Sequence, residues 1–148
     1  MVKASVIGAT GYAGAELMRL LTAHPEAVVT HAVSKSFAGQ KISALYPSFL
    51  SNDYTLEELD FDAVAQDTDI VFTCLPHGAS AETAAQLVSR GLKVIDLSGD
   101  FRYNDVSVYE RWYQIRHAAP ELLAESVYGM PELYRERIKK ARLVGNPG

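Results

Sequence analysis

The fold is decided by the segment Ile7–Leu17, which reads IGATGYAGAEL. It joins an apolar run, typical of a buried strand, to a predicted helix whose apolar residues recur at helical spacing on one face, namely Ala13, Leu17, Leu20 and Leu21. Gly8, Gly11 and Gly14 lie at this junction. In a strand–turn–helix unit the first glycine permits a tight turn, the second lets the backbone approach a phosphate, and the third lets helix and strand pack closely. The segment therefore predicts a loop that binds the pyrophosphate of a dinucleotide.

The start of the predicted helix would supply most of this binding. Its backbone N–H groups and the positive end of its dipole face the phosphates, and Thr10 adds a hydroxyl donor. The spacing differs from the common Gly-x-Gly-x-x-Gly, so a purely structural glycine turn is the alternative. The cofactor-binding residues predicted in this segment are Gly8, Thr10, Gly11, Tyr12, Ala13 and Gly14.

Strand and helix patterns alternate along the rest of the chain. Strands are predicted at 27–33, 68–75 and 92–98, and a closing strand and turn at 142–148. Helices are predicted at 12–24, at 80–91 with Gly91 as the C-terminal cap, around 108–113, and at 131–141 with Pro131 at the first position. The pattern is weaker in the region 39–67, where it predicts a loop or short helix near 42–45 and a short strand near 54–56. The alternation predicts an α/β, doubly wound Rossmann-type domain over residues 1–148, with a mostly parallel sheet and helices on both faces.

The end of the second predicted strand bears on which dinucleotide is bound. An NAD site usually has an acidic residue about twenty positions after the glycine loop, where it accepts a hydrogen bond from the ribose. Here no acidic residue occurs between Glu26 and Asp53. Instead Ser34, Lys35 and Ser36 offer two hydroxyls and an ammonium group, which suit a 2′-phosphate. The sequence therefore predicts NADP, with a solvated polar loop as the alternative.

Composition limits the class of protein. The net charge of -4 argues against nucleic acid as a partner, because binding of phosphate backbones needs a basic face. No apolar run approaches the roughly twenty residues of a membrane span. The single cysteine allows no internal disulfide, so we expect a cytoplasmic protein. One local basic cluster is interpreted as a solvated helix face: Arg135, Arg137, Lys139, Lys140 and Arg142. The other side of this helix is predicted to be apolar, with Met130, Leu133, Tyr134, Ile138 and Ala141.

The chain lacks the catalytic tyrosine–lysine pair of short-chain dehydrogenases, which excludes that class of enzyme. Those enzymes need a lysine four residues after a tyrosine, to lower the tyrosine pKa for proton transfer. None of the 8 tyrosines has a lysine at that position.

Four further segments point to one family. They are LPHG (75–78), DLSGDFR (96–102), YGMPELYR (128–135) and GNPG (145–148). Together with the glycine loop, and in this order over the whole chain, they resemble the N-acetyl-gamma-glutamyl-phosphate reductases of arginine biosynthesis. The resemblance implies NADPH-dependent reduction of N-acetyl-gamma-glutamyl phosphate to N-acetylglutamate 5-semialdehyde and phosphate, through a cysteine thioester, in an enzyme that is a homo-oligomer.

In that family the nucleophilic cysteine directly follows the GNPG turn. The resemblance therefore implies a catalytic cysteine immediately after Gly148, with the catalytic and dimerisation domain also outside these residues. No catalytic residue is expected within the chain, and the fragment alone is expected to be inactive. Cys74 follows an apolar strand and is interpreted as a buried strand-end cysteine.

Two other groups of residues are candidates for the site. Leu75, Pro76 and His77 come at the carboxyl end of a strand and are predicted to line the cofactor cleft, although His77 also fits a turn histidine bonded to backbone. Arg102 either binds the phosphate or carboxylate of the substrate, or holds its own loop through Asp100 or backbone. The histidines show no metal-ligand spacing with one another or with Cys74, so no metal site is predicted.

The sequence leaves two alternatives to this function open. An aspartate-semialdehyde dehydrogenase has similar chemistry and architecture, but its nucleophile turn resembles Asn-Cys rather than Gly-Asn-Pro-Gly-Cys. A non-catalytic NADP-binding module is the alternative from another class of protein.

Overall fold

Strands and helices alternate along the computed structural model, which describes all 148 residues. The strands are β1 (Val2–Ile7), β2 (Ala27–Val33), β3 (Ile70–Thr73), β4 (Lys93–Asp96), β5 (Val127–Tyr128) and β6 (Leu143–Gly145). The helices are α1 (Tyr12–Thr22), α2 (Phe61–Asp67), α3 (Ser80–Ser89), α4 (Val106–Tyr113) and α5 (Pro131–Lys140). Short 3-10 turns lie at Ile42–Ala44, Pro47–Phe49 and Pro120–Leu122. None of the helices has both the length and the apolar character that a membrane crossing requires.

The chain divides into two units, Met1–Cys74 and Leu75–Gly148. In the first unit β1 is the central strand, with β2 and β3 pairing in parallel on either side of it. The chain thus moves to one side of β1 to form β2, then crosses to the other side to form β3. This reversal is the topological switch point of a doubly wound sheet, where ligands bind beyond the carboxyl ends of the strands. The predicted α/β, Rossmann-type class is confirmed.

Helix α1 packs on this sheet through a narrower face than the sequence predicts. Its buried residues are Gly14, Ala15, Met18 and Leu21. Ala13 and Leu20 were predicted to share the apolar face, but Ala13 is exposed and Leu20 is 52% exposed. The reason is Gly14, whose bare backbone lies against Gly8 and turns that side of the helix inward.

The second unit has a parallel strand order of β4-β6-β5. Helix α3 buries Ala81, Ala84, Leu87 and Val88, and Gly91 follows it with φ +84°, as expected of a C-terminal cap. Helix α5 starts with Pro131 at its first turn, as predicted, but buries none of its residues within the chain. Leu133, on its predicted apolar side, is 66% exposed.

The region 39–67 is where the sequence predicts least. The short helix near 42–45 is confirmed as a 3-10 turn, whereas residues 54–56 form only an isolated bridge between Thr55 and Lys41. Helix α2 and the two-residue strand β5 were not predicted. Helix α2 does carry a recognisable start, because the Asp60 side chain accepts hydrogen bonds from the N–H groups of Asp62 and Ala63.

Candidate dinucleotide site

The glycine loop leaves the carboxyl end of β1 in the conformation that its glycines permit. Gly8 has φ +88°, a region that other residues avoid. The N–H groups of Gly8 and Ala9 both donate to the carbonyl oxygen of Val33, at 3.0 and 2.9 Å, which ties the loop to the end of β2. A Cβ on Gly14 would collide with the carbonyl oxygen of Gly8. The third glycine therefore serves the close packing that its position predicts.

The start of α1 is open to an anion. The first intrahelical hydrogen bond runs from the N–H of Ala15 to the carbonyl oxygen of Gly11 at 2.8 Å. The N–H groups of Tyr12, Ala13 and Gly14 come before this bond and therefore have no acceptor within the helix. No side chain caps the helix, and its first turn has no acidic residue. A Cβ on Gly11 would meet nothing closer than the Gly8 carbonyl oxygen at 3.6 Å, so the backbone there is accessible. Free N–H groups and the helix dipole make the start of α1 a favourable binding site for a phosphate.

Thr10 is held on two sides. Its Oγ1 lies 2.8 Å from the Oγ of Ser34, so two of the predicted site residues are in contact. Its carbonyl oxygen accepts a hydrogen bond of 2.8 Å from the hydroxyl of Tyr46. The sequence does not predict the role of Tyr46, because it lies in the weakly patterned region and no motif connects it to the loop.

Ser34, Lys35 and Ser36 follow directly after β2 but differ in their surroundings. Ser34 is only 3% exposed, and its backbone N–H donates to the carbonyl oxygen of Glu57 at 2.9 Å. Lys35 and Ser36 are exposed in the turn that follows. The Ser34 hydroxyl is therefore engaged by the glycine loop, whereas Lys35 and Ser36 present their polar groups at the surface.

An acidic residue does lie near the end of β2, although sequence spacing does not predict it. Glu57 forms a bridge with Val33, and its Oε2 lies 2.7 Å from Nδ1 of His31. The other ring nitrogen of His31 lies 2.9 Å from Oδ1 of Asp67. Burial by itself lowers the pKa of His31, but the hydrogen bonds and charges of the two carboxylates outweigh it, and the net effect raises the pKa.

In the second unit, the LPHG segment forms a tight turn before α3. Gly78 has φ +83°, and its N–H donates to Oδ1 of Asp100 at 2.7 Å. Pro76 and His77 are exposed and Leu75 is half-buried. The centroids of the His77 and Tyr113 rings lie 5.2 Å apart. His77 thus contacts another side chain, whereas the alternative interpretation from the sequence was a hydrogen bond to the backbone.

Asp100 organises the loop that follows β4. Its side chain is fully buried and also accepts hydrogen bonds from Ala81 N at 2.9 Å and from the Tyr109 hydroxyl at 2.8 Å. Burial, together with the bond to this carboxylate, raises the pKa of the Tyr109 phenol well above its usual value. His117 adds a bond from Nε2 to the Asp100 carbonyl oxygen. The carboxylate thus joins the LPHG turn, α3 and α4.

Arg102 contacts the GNPG turn. Its Nε donates to the carbonyl oxygen of Asn146 at 2.9 Å, and the Asn146 N–H donates to the carbonyl oxygen of Asp96 at 2.8 Å. Gly145 lies against the Phe101 carbonyl so closely that a Cβ would collide with it. Of the structural contacts predicted for Arg102, the hydrogen bond to a backbone carbonyl is present. The ion pair with Asp100 is absent, because Gly78, Ala81 and Tyr109 donate to that carboxylate instead.

No group of His, Cys, Asp and Glu side chains is arranged to hold a metal ion. Cys74 is half-buried just beyond β3, and its N–H donates to the carbonyl oxygen of Ile7 at 2.7 Å. It is therefore a strand-end residue, as predicted, although it is less buried than expected.

A glycine loop and an uncapped helix start at the switch point of a parallel sheet define a dinucleotide-binding α/β domain of the Rossmann type. Residues 3–141 match the family described as "Semialdehyde dehydrogenase, NAD binding domain". The chain belongs to this family, and a nicotinamide dinucleotide is the cofactor that the family binds.

Two relatives of about 50% identity carry the same name. The chain is 51% identical to N-acetyl-gamma-glutamyl-phosphate reductase of Acetivibrio thermocellus and 48% identical to that of Halothermothrix orenii. Both alignments cover 100% of this chain but only 43% of the relative. The chain thus spans less than half the length of these relatives.

Solved structures with the same fold are more distant in sequence. Aspartate semialdehyde dehydrogenase from Candida albicans, solved with NADP, superposes with a TM-score of 0.71 at 22% identity, over 94% of this chain and 36% of that one. Aspartate semialdehyde dehydrogenase II from Vibrio cholerae gives a TM-score of 0.66 at 18% identity, over 99% of this chain and 41% of that one. These similarities establish the fold alone.

Proposed function

We propose that this chain is the NADP-binding lobe of an N-acetyl-gamma-glutamyl-phosphate reductase. The observation that carries the proposal is the 51% identity to a relative of that name over the full length of the chain. Identity to the two aspartate semialdehyde dehydrogenases of the same fold named above is only 22% and 18%. Because the chain covers 43% of the named relatives, the complete reaction belongs to a longer protein that contains these residues.

The glycine loop fits the pyrophosphate of the cofactor. The N–H groups at the start of α1 precede its first intrahelical bond, and the first turn has no carboxylate to repel an anion. In this proposal the pyrophosphate lies over Gly11, whose accessible backbone permits close approach. Leu75, Pro76 and His77 are proposed to contact the cofactor.

Two features near the end of β2 support NADP over NAD. Lys35 and Ser36 are exposed there and suit a 2′-phosphate. The acidic residue near the end of β2 is Glu57, which forms a β-bridge with Val33. Its carboxylate is hydrogen-bonded through Oε2 to the imidazole of His31. Glu57 also lies far beyond the position, about twenty residues after the glycine loop, where an NAD site usually has its acidic residue.

Arg102 is proposed to serve the substrate as well as the GNPG turn. Its hydrogen bonds go to the carbonyl oxygens of Asn146 and Leu97, and neither neutralises the guanidinium charge. A half-buried arginine with unpaired charge suits the phosphate or carboxylate of an acyl phosphate. The GNPG turn that it steadies is proposed to lead directly into the nucleophilic cysteine of the longer protein.

The proposed net reaction consumes the acyl phosphate, NADPH and a proton, and yields the aldehyde, phosphate and NADP. The bound cofactor supplies the hydride. In this reaction the chain would hold the cofactor, position the GNPG turn and bind the anionic end of the substrate. We further propose a cytoplasmic homo-oligomer that acts on a small molecule, with no nucleic-acid or membrane partner.

The proposal is tested in two steps on the whole protein that contains these residues. The first is calorimetric titration with NADPH and, separately, NADH, for which we expect a clear preference for NADPH. The second is the reverse reaction, with N-acetylglutamate semialdehyde, phosphate and NADP, followed by formation of NADPH. No turnover of this substrate in a protein that binds NADPH would reject the reductase assignment.

Aspartate-semialdehyde dehydrogenase is the second candidate, favoured by the TM-score of 0.71 to an enzyme of that name. The same assay with aspartate semialdehyde separates the two. Faster turnover of aspartate semialdehyde would support the second candidate. Binding of NADPH without turnover of either aldehyde would identify a non-catalytic module.

A further inference from the structure

Thr10 and Gly11 share a peptide group whose orientation decides what the glycine loop presents to a ligand. The N–H of this group belongs to Gly11 and donates to the carbonyl oxygen of Gly8 at 3.2 Å. Its carbonyl oxygen belongs to Thr10 and accepts the hydroxyl of Tyr46 at 2.8 Å. Both ends of the peptide group are therefore bonded, and its plane is held.

This orientation matters because a carbonyl oxygen repels an anion. A phosphate at the start of α1 is stabilised by N–H groups and by the positive end of the helix dipole. If the peptide group rotated, the Thr10 carbonyl would no longer be held by Tyr46 and could turn its partial negative charge toward that phosphate. The bond from Tyr46 opposes the rotation.

Tyr46 is itself firmly placed. Its backbone N–H donates to the carbonyl oxygen of Ile42 at 2.9 Å, and Ile42 is fully buried in the core of the first unit. Its ring meets that of Phe49 edge to face, with centroids 6.5 Å apart. Pro47 follows at the start of a 3-10 turn, which restricts the backbone on the other side. The hydroxyl therefore comes from a segment anchored independently of the loop.

The geometry points to Tyr46 as a positioning residue for the cofactor, which keeps the Thr10 carbonyl away from the pyrophosphate so that the helix N–H groups face it. This inference rests on the part of the proposed function that places the pyrophosphate at the glycine loop. Ser34 holds the side chain of Thr10 at 2.8 Å, so the tyrosine and the serine fix the same residue by its backbone and by its hydroxyl.

Tyr54 provides a matched control. It lies in the same segment, and its hydroxyl is 3.2 Å from Oγ1 of Thr22, at the far end of α1. Tyr46→Phe and Tyr54→Phe each remove one hydroxyl that joins this segment to the rest of the unit. Only the first removes a bond to the glycine loop.

The test is calorimetric titration of the whole protein and of both variants with NADPH, NADH and adenosine 2′-monophosphate, which lacks the pyrophosphate. We expect Tyr46→Phe to raise the Kd of both dinucleotides about fivefold, the equivalent of one lost hydrogen bond. The Kd of adenosine 2′-monophosphate should stay unchanged, and Tyr54→Phe should change none of the three.

Unchanged dinucleotide affinities in Tyr46→Phe would overturn the inference. An equal loss for adenosine 2′-monophosphate, or an equal loss in Tyr54→Phe, would also overturn it, since either would indicate a general loosening of the unit. These outcomes are independent of catalysis. If the wild-type protein binds dinucleotide but reduces no acyl phosphate, the reductase proposal fails while the positioning role of Tyr46 is still decided by the titrations.

Discussion

The Nε atom of Arg102 lies 2.9 Å from the carbonyl oxygen of Asn146 and donates a hydrogen bond to it across 44 positions of sequence. The bond joins the DLSGDFR segment to the GNPG turn, two of the segments that carry the resemblance to the reductase family. It gives Arg102 a structural role in the turn, and the substrate role proposed for its unpaired charge is additional to this one.

Arg102→Ala should raise the substrate KM of the whole enzyme far more than the KM for NADPH, because the lost charge would bind the anionic substrate. Since the bond to Asn146 is lost as well, kcat should also fall. Steady-state kinetics with each substrate varied measures both effects.

Arg116→Ala is the control for Arg102, because Arg116 is an exposed arginine in the same unit. It should leave all kinetic constants unchanged. Equal increases of the two KM values in Arg102→Ala would reject the substrate role and leave only the structural one.

Gly11 and Gly14 should respond differently to replacement by alanine. A Cβ on Gly14 collides with the Gly8 carbonyl, so Gly14→Ala should destabilise the protein by about 2 kcal/mol in urea unfolding. A Cβ on Gly11 meets only an ordinary contact, so Gly11→Ala should fold normally but bind the dinucleotide at least tenfold more weakly, because the methyl group occupies the approach of the phosphate. Normal affinity in Gly11→Ala would show that the pyrophosphate lies elsewhere.

Lys35→Ala should raise the Kd of NADPH by about tenfold and leave that of NADH unchanged, since only NADPH carries the 2′-phosphate. Lys41→Ala makes the same change of charge at another exposed lysine and should affect neither cofactor. Equal changes for NADPH and NADH in Lys35→Ala would contradict the 2′-phosphate assignment.

Asp100→Ala should cost about 3 kcal/mol of stability, because three donors, two of them in buried hydrogen bonds, lose a charged acceptor. The comparison is Asp105→Ala, which removes an exposed carboxylate that caps α4 through Ser107 and should cost less. Urea unfolding of both variants measures the difference, and a similar loss in the two would show that the Asp100 bonds are replaced by solvent.

His31 should make stability fall as the pH rises. Its pKa is raised in the folded protein by Glu57 and Asp67, so its contribution is fully present below the unfolded-state pKa of about 6.5 and is lost as the pH rises through the folded-state pKa. The free energy of unfolding should therefore be lower well above the folded-state pKa than at pH 6. His31→Gln should remove most of this dependence, and an unaltered pH profile in the variant would show that another group titrates.

The parts of the site that the sequence predicted are local. Gly8, Gly11 and Gly14 act within one strand–turn–helix unit, where spacing alone specifies which residue meets the turn and which meets the helix. Gly91 follows the end of α3 with a positive φ, and Pro131 begins α5. Both positions were predictable because they depend only on the backbone conformation of the residue itself. The apolar face of α1 was partly wrong because the contact of Gly14 with Gly8, rather than periodicity, decides how the helix is turned.

The sequence by itself determined the α/β class, the glycine loop and the family, since each depends on short-range periodicity or on contiguous motifs. Only the tertiary structure decided that Tyr46 holds Thr10, that Glu57 is bound to His31, and that Asp100 bonds Gly78 rather than Arg102. The physical reason is that a hydrogen bond requires two groups within about 3 Å of each other in a defined direction. For residues distant in sequence, that condition is met by the path of the whole chain, which no local pattern records.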